Sequence, residues 1–201
     1  MRPYAYPAGA GWIEVIAGCM FSGKTEELLR RVERARIARQ RVLVVKPRLD
    51  VRYGLDEVVT HGRQRIPCVP VDRAADILAH VAEIDVLGID EAQFFDGELP
   101  GIAERLADDG LRVIVAGLDL DSRGRPFEPM PELMAQAEYV DKLLAVCTTC
   151  GAPASRSQRL VHRDTRVLLG ATEAYEARCR RHWEPDRFDA EQETLPLPDD
   201  R

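Results

Sequence analysis

Short apolar runs, several rich in β-branched residues, recur along most of the chain: WIEVIAG at 12–18, RVLVVKP at 41–47, IPCVPV at 66–71, VLGID at 86–90, LRVIVAG at 111–117 and KLLAVC at 142–147. Their length and near-continuous hydrophobicity predict strands, most of them buried on both faces. IPCVPV, interrupted by prolines, predicts a short edge strand, and KLLAVC the last strand of the same sheet. Between the runs the apolar positions change period. Leu28, Leu29, Val32 and Ala35 share one stripe and predict a helix from Lys24 to about Arg39. Further helices are expected over 73–83, over 98–109 with Gly110 as its stop, and over 131–138 with a proline near the first turn. The polar stretch DVRYGLDEVVTHGRQ, 50–64, predicts a loop.

Strands alternating with helices imply βαβ units, hence an α/β fold with a mostly parallel sheet flanked by helices on both faces. The pattern breaks at about Cys147, where cysteines and turn residues replace helical periodicity. The expected organisation is an α/β domain over 12–146, a small second domain over 147–183, and flexible tails at 1–11 and 184–201, the last acidic and proline-containing. No internal repeat is visible.

Composition narrows the function classes. Apolar residues make up 45% and charged residues 31% of the 201 positions, an ordinary globular mix. A net charge of −6 argues against a whole-surface affinity for nucleic acid. Arg30, Arg31, Arg34, Arg36 and Arg39 read as a solvated helix face. No run approaches the ~20 apolar residues of a membrane span, and the first residues lack the basic and apolar segments of a signal peptide. The expected location is the cytoplasm, where disulfides are uncommon, so the five cysteines call for another use.

The first candidate site follows the first strand. Gly18, Cys19, Met20, Phe21, Ser22, Gly23, Lys24 and Thr25 fit G-x-x-x-x-G-K-[ST] without a mismatch. Glycines let backbone N–H groups wrap a phosphate, and the positive end of the following helix adds to the field. The Lys24 ammonium can reach the β/γ oxygens and the Thr25 hydroxyl can hold Mg²⁺. Such chemistry also needs an acid at a neighbouring strand end. VLGID leads into Asp90 and Glu91, where open α/β sheets bind ligands. Asp90 suits a water-mediated Mg²⁺ contact and Glu91 a general base. The second candidate site is Cys147, Cys150, Cys179 and His182, a C-x-x-C pair joined by C-x-x-H. Three thiolates and an imidazole suit a closed, structural Zn²⁺ site, which would anchor the segment 151–178 at both ends. His61, His80 and His162 read as surface or loop residues, Asp119 and Asp121 as turn formers, and Trp12 and Trp183 as packing residues.

Taken together, GCMFSGKTEELLRRV, KPRLDVRY, IDEAQFFD, VIVAGLDLD, GRPFEPMPELMAQAEYVDKL, CTTCGAPASRSQRL and VLLGATEAYEARCRRH resemble the type II thymidine kinases, over about residues 12–182. The resemblance implies a RecA-like P-loop domain with a small zinc domain, assembled as a homotetramer. It also implies transfer of the ATP γ-phosphate to the 5′-hydroxyl of thymidine in nucleotide salvage. Carried onto this chain, Glu91 matches the proton acceptor, and Gly18 to Thr25 match the ATP loop. Asp50, Val51 and Arg52 match further nucleotide contacts, as do Asp90, Glu91, Ala92 and Gln93. Arg166, Val167, Leu168, Leu169, Gly170 and Tyr175 match a loop that closes over the base, and Phe94 and Phe127 match aromatics packed near the nucleoside. Cys19 stands where many relatives carry proline and Ser122 where they commonly carry an aromatic. Thr25 replaces serine with its hydroxyl kept, and the segment 158–167 is shorter than in several relatives. The rival reading is a P-loop ATPase whose zinc ribbon grips nucleic acid. The acidic balance, and the lack of interleaved aromatics over 147–182, argue against it. A zinc-stabilised nucleotide sensor without catalysis is a third.

Overall fold

The computed structural model describes residues 9–49, 57–59, 65–160 and 174–185. Twelve strands and three α-helices occur among them: β1 Trp12–Gly18, α1 Lys24–Ile37, β2 Val42–Pro47, β3 Glu57–Val59, β4 Arg65–Pro67, β5 Val69–Val71, β6 Val86–Ile89, α2 Leu99–Asp108, β7 Arg112–Gly117, α3 Met130–Gln136, β8 Tyr139–Leu143, β9 Ala145–Val146, β10 Pro153–Ala154, β11 Arg156–Arg159 and β12 Tyr175–Arg178. Six strands form one sheet in the order β5-β2-β6-β7-β1-β8. Every pair in it is parallel.

Burial on both faces follows the near-continuous apolar strands. One face packs Ile16, Val44, Val86, Ile114 and Ala116 beneath Leu28, Leu29, Val32 and Ala35, the predicted stripe of α1. The other packs Val15, Leu87, Ile89, Val113 and Val115 beneath Leu99, Ala103 and Leu106 of α2 and Met130 and Leu133 of α3. Contact is closest at Gly88 of β6. A Cβ there would lie 3.2 Å from Val32 Cγ2 and 3.4 Å from both Leu28 Cδ1 and Val44 Cγ2, so α1 rests directly on the strand backbone. The phosphate loop, Asp90 and Glu91 all follow carboxyl ends of strands in this sheet, with β7 lying between β6 and β1.

Five sequence expectations change, one being IPCVPV, which divides into β4, paired with β3, and β5, the edge strand of the large sheet. The helix expected over 73–83 is a 3-10 helix, Ala74–His80, in which Ala74 and Ile77 are the buried residues. Residues 57–59, expected as loop, pair antiparallel with β4. KLLAVC divides, because β8 ends the large sheet at Leu143 whereas β9 pairs with β10 in a separate hairpin. Finally, Arg31 is not solvated. Its Nη1 donates to Glu14 Oε2 at 2.8 Å, its Nε to Glu27 Oε1 at 2.8 Å and its Nη2 to Asp141 Oδ2 at 2.5 Å. Glu14 is fully buried in β1 and also accepts from Trp12 Nε1 and Arg112 Nε. A buried carboxylate is tolerable only when paired and hydrogen-bonded on this scale.

Candidate active site and metal centre

The phosphate loop turns sharply out of β1. Gly18 has φ 152, and a Cβ on it would meet the Leu143 carbonyl oxygen at 2.5 Å, so no larger residue fits this start. Inside the loop, Ser22 Oγ and Lys24 Nζ both donate to the Cys19 carbonyl oxygen at 2.8 Å. Removal from water lowers the Lys24 ammonium pKa. Glu91 is the strongest of the anionic neighbours that oppose this, ahead of Asp90 and Asp119. The acids that follow β6 thus bear electrostatically on the lysine of the loop.

Thr25 Oγ1 lies 3.3 Å from both carboxylate oxygens of Asp90, which is itself 6% exposed. A hydroxyl beside a carboxylate is a hard-oxygen donor set of the kind Mg²⁺ takes. Glu91 has φ 52 and ψ 41, a left-handed conformation uncommon outside glycine. Gln93, buried in the 3-10 turn Ala92–Phe94, donates from Nε2 to Glu91 Oε2 at 2.6 Å and accepts from the Leu118 amide at 2.9 Å. Glu91 is thus aimed by a side chain that is itself fixed to the end of β7. The orienting role of Gln93 carries no sequence signal, because its anchor is 25 residues away.

Phe94 and Phe127 meet edge to face with ring centroids 6.1 Å apart. Asp121 behaves as a turn former, its Oδ1 accepting from the Arg123 and Arg125 amides. Asp119 does more. It is 5% exposed and lies 2.6 Å from Lys142 Nζ, and among the described residues neither carboxylate oxygen has a hydrogen-bond donor. Tyr175 is buried in β12, paired with Arg159. Asp50, Val51, Arg52, Arg166, Val167, Leu168, Leu169 and Gly170 lie outside the described residues.

The metal-type cluster assembles at the other side of the loop. The ligand atoms of Cys147, Cys150, Cys179 and His182 all lie within 4.8 Å of one another. Cys150 Sγ to Cys179 Sγ is 3.8 Å, and His182 Nδ1 is 3.4 Å from Cys179 Sγ and 3.9 Å from Cys147 Sγ. A tetrahedron with Zn–S bonds of ~2.3 Å has edges of about 3.7 Å, so the spacing fits that ion. Desolvation raises the Cys147 thiol, but the amides of Cys179, Thr149 and Cys150 and the His182 ring outweigh it and bring it down to about 5. A thiol this acidic is ready to ligate as thiolate.

A phosphate loop after β1, a Thr–Asp pair bridging to the end of β6 and an oriented carboxylate on a parallel sheet fit a nucleotide-dependent phosphotransferase. Comparison with known proteins makes the family plain. The thymidine kinase family model matches residues 11–183. A thymidine kinase of Rhodothermus sp. (strain ITI 518) is 59% identical over 177 residues, covering 88% of this chain and 83% of that protein. Among solved structures, domain III of the Thermotoga maritima replication initiation protein DnaA aligns with 68% of this chain and 56% of its own, at 18% identity and a TM-score of 0.41. The chain belongs to the thymidine kinase family. Its activity is accordingly that of an ATP-dependent kinase acting on thymidine, with ATP and Mg²⁺ as the implied co-substrate and ion.

Proposed function

We propose that Glu91 is the general base that accepts the proton of the thymidine 5′-hydroxyl as that oxygen attacks the γ-phosphorus of ATP. What supports this reading is the placement of Glu91, just past the end of β6 in a left-handed conformation and held by Gln93 at 2.6 Å. Phosphoryl transfer needs positioning and charge neutralisation more than covalent participation by the protein. In this reading Gly18 to Thr25 cradle the triphosphate, and Lys24 leaves the Cys19 carbonyl to meet phosphate oxygens. Mg²⁺, when bound, neutralises phosphate charge, and Thr25 and Asp90 are the residues that would hold it. Ala92 and Gln93, together with Asp50, Val51 and Arg52, belong to the nucleotide side. Phe94, Phe127, Tyr175 and the segment Arg166 to Gly170 belong to the thymidine side. Main-chain groups on the thymine edge would penalise a base that leaves them unpaired.

Cys147, Cys150, Cys179 and His182 hold a structural Zn²⁺ in the same proposal, because all four ligand positions are filled by side chains and no open position remains for water. This organises the chain as a nucleotide-binding unit over 12–146 and a zinc unit over 147–183. We further propose a cytoplasmic homotetramer without nucleic-acid or membrane partners. Among the described residues, no helix is long and apolar enough to cross a membrane.

The test is transfer from labelled ATP to each natural deoxynucleoside, with Mg²⁺ and chelator controls. Labelled dTMP, formed only with Mg²⁺, is expected. Absence of labelled product from every deoxynucleoside would refute the assignment.

A further inference from the structure

Three consecutive residues of the phosphate loop are tied to the cysteine-bearing lobe rather than to the sheet. Cys19 is 2% exposed and belongs to the lobe's core, among Ala145, Cys147, Ala154, Ala177 and Cys179. Its Sγ donates to the Ala154 carbonyl oxygen at 3.3 Å. The next residue, Met20, donates its backbone N–H to Ser157 Oγ at 3.0 Å, across 137 positions of sequence. Ser157 is 4% exposed and sits in β11, held against β12. Phe21 follows with φ 64, a left-handed conformation for a bulky aromatic, and its ring packs against the same lobe core. Such a conformation costs on the order of 1–3 kcal/mol and persists only where the surroundings hold it.

We propose that the Cys147–His182 lobe sets the conformation of the phosphate loop, with Ser157 as the positioning residue that transmits it. The inference rests on the reading of Gly18 to Thr25 as the ATP loop and goes beyond it. The lobe governs the phosphate end of the site. The physical route is short. Cys147 and Cys179 share one small core with Cys19, so fixing the thiolates on a metal fixes the surface on which the loop lies. Ser157 then takes up the Met20 amide and leaves the peptides after it in one orientation.

The full chain is titrated with a non-hydrolysable ATP analogue in the absence of thymidine, as wild type, Ser157→Ala and Ser157→Thr. Hydrogen exchange at residues 19–23 and metal content are measured on the same samples. Loss of one hydrogen bond predicts about fivefold weaker analogue binding for Ser157→Ala. Exchange at 19–23 should be faster, metal content unchanged and kcat at saturating substrates nearly kept. Ser157→Thr, which retains the hydroxyl, should restore affinity and protection. Cys19→Ala removes the other anchor and should shift affinity the same way, which keeps the test open if Ser157→Ala does not fold. Wild-type affinity and exchange in Ser157→Ala, or a defect that Ser157→Thr does not rescue, overturns the proposal. A wild-type protein that fails to bind the analogue overturns the ATP-loop reading instead.

Discussion

The large sheet and the cysteine-bearing lobe hold their shape by different means. The sheet buries Ile16, Leu28, Leu87, Ile89, Leu99, Ile114, Met130 and Leu133 almost completely, each a large side chain worth roughly 1.5–3 kcal/mol on removal from water. The lobe's buried cluster is made of alanines and cysteines, with Phe21 and Ala152 at its margin. Alanine methyls supply little transfer energy, so a core of this composition cannot fix two short hairpins by packing alone. The four ligand atoms, within 4.8 Å of one another, are spaced compatibly with a tetrahedral ion, which in the reading proposed above would supply what packing does not. In the zinc reading proposed above, one region is shaped by volume and the other by coordination, and the phosphate loop touches both.

The comparison is broken most severely by removing a ligand. Cys179→Ser, or extraction of metal by a chelator, should abolish the order of the lobe and with it turnover. Hydrogen exchange should rise over 145–160 and 174–185, while β1, β2, β6 and β7 keep their protection. A metal-free lobe that stays protected would show that packing suffices there. The converse experiment is Leu28→Ala, which opens a cavity between α1 and the sheet. A loss of about 2–5 kcal/mol is expected in denaturant unfolding, with metal content unaltered. Glu91→Gln should disturb neither region. ATP binding and thermal stability should persist while turnover drops by ~10²-fold or more, measured by labelled transfer at saturating substrates. Unchanged turnover would remove Glu91 from the base role.

The smallest effect concerns charge on the sheet side. The hydrogen bond from Arg30, aided by Arg31 against desolvation, holds Glu27 down at about 2 from its ordinary 4.5. A depressed carboxylate contributes stability above its unfolded pKa and loses it as pH falls through the folded value. The wild type should therefore lose a small increment between pH 4.5 and 2 that Glu27→Gln never had. The increment is small because Arg30 is largely exposed. Unfolding curves of the two proteins, followed by a signal from the sheet, read the difference.

Much of the sheet was legible in sequence because its information is local. A strand buried on both faces announces itself as an apolar run, and α1 as a stripe at helical spacing. The phosphate loop and the acids after VLGI were legible for the same reason, since spacing within a few residues carries the chemistry. The errors share a cause. Arg31 looked like part of a solvated face because its partners Glu14 and Asp141 sit 17 and 110 positions away. KLLAVC looked like one strand because the sequence does not mark where a chain leaves one sheet for another. The support of Glu91 by Gln93 needs the Leu118 amide, and the Met20–Ser157 bond spans the molecule. No periodicity encodes such pairs.

Position 88 has a bearing on chemistry although it lies in the core beneath α1. The bare backbone there lets α1 settle onto β6, and the two elements lead, at the start of the helix and just past the end of the strand, to Thr25 and Asp90. The gap between hydroxyl and carboxylate is therefore a readout of interlayer thickness. A single methyl inserted 3.2 Å from Val32 acts as a shim. The Val32, Leu28 and Val44 side chains would have to give by a few tenths of an ångström, and any part of that taken up by a shift of α1 would be felt at the Thr25–Asp90 pair.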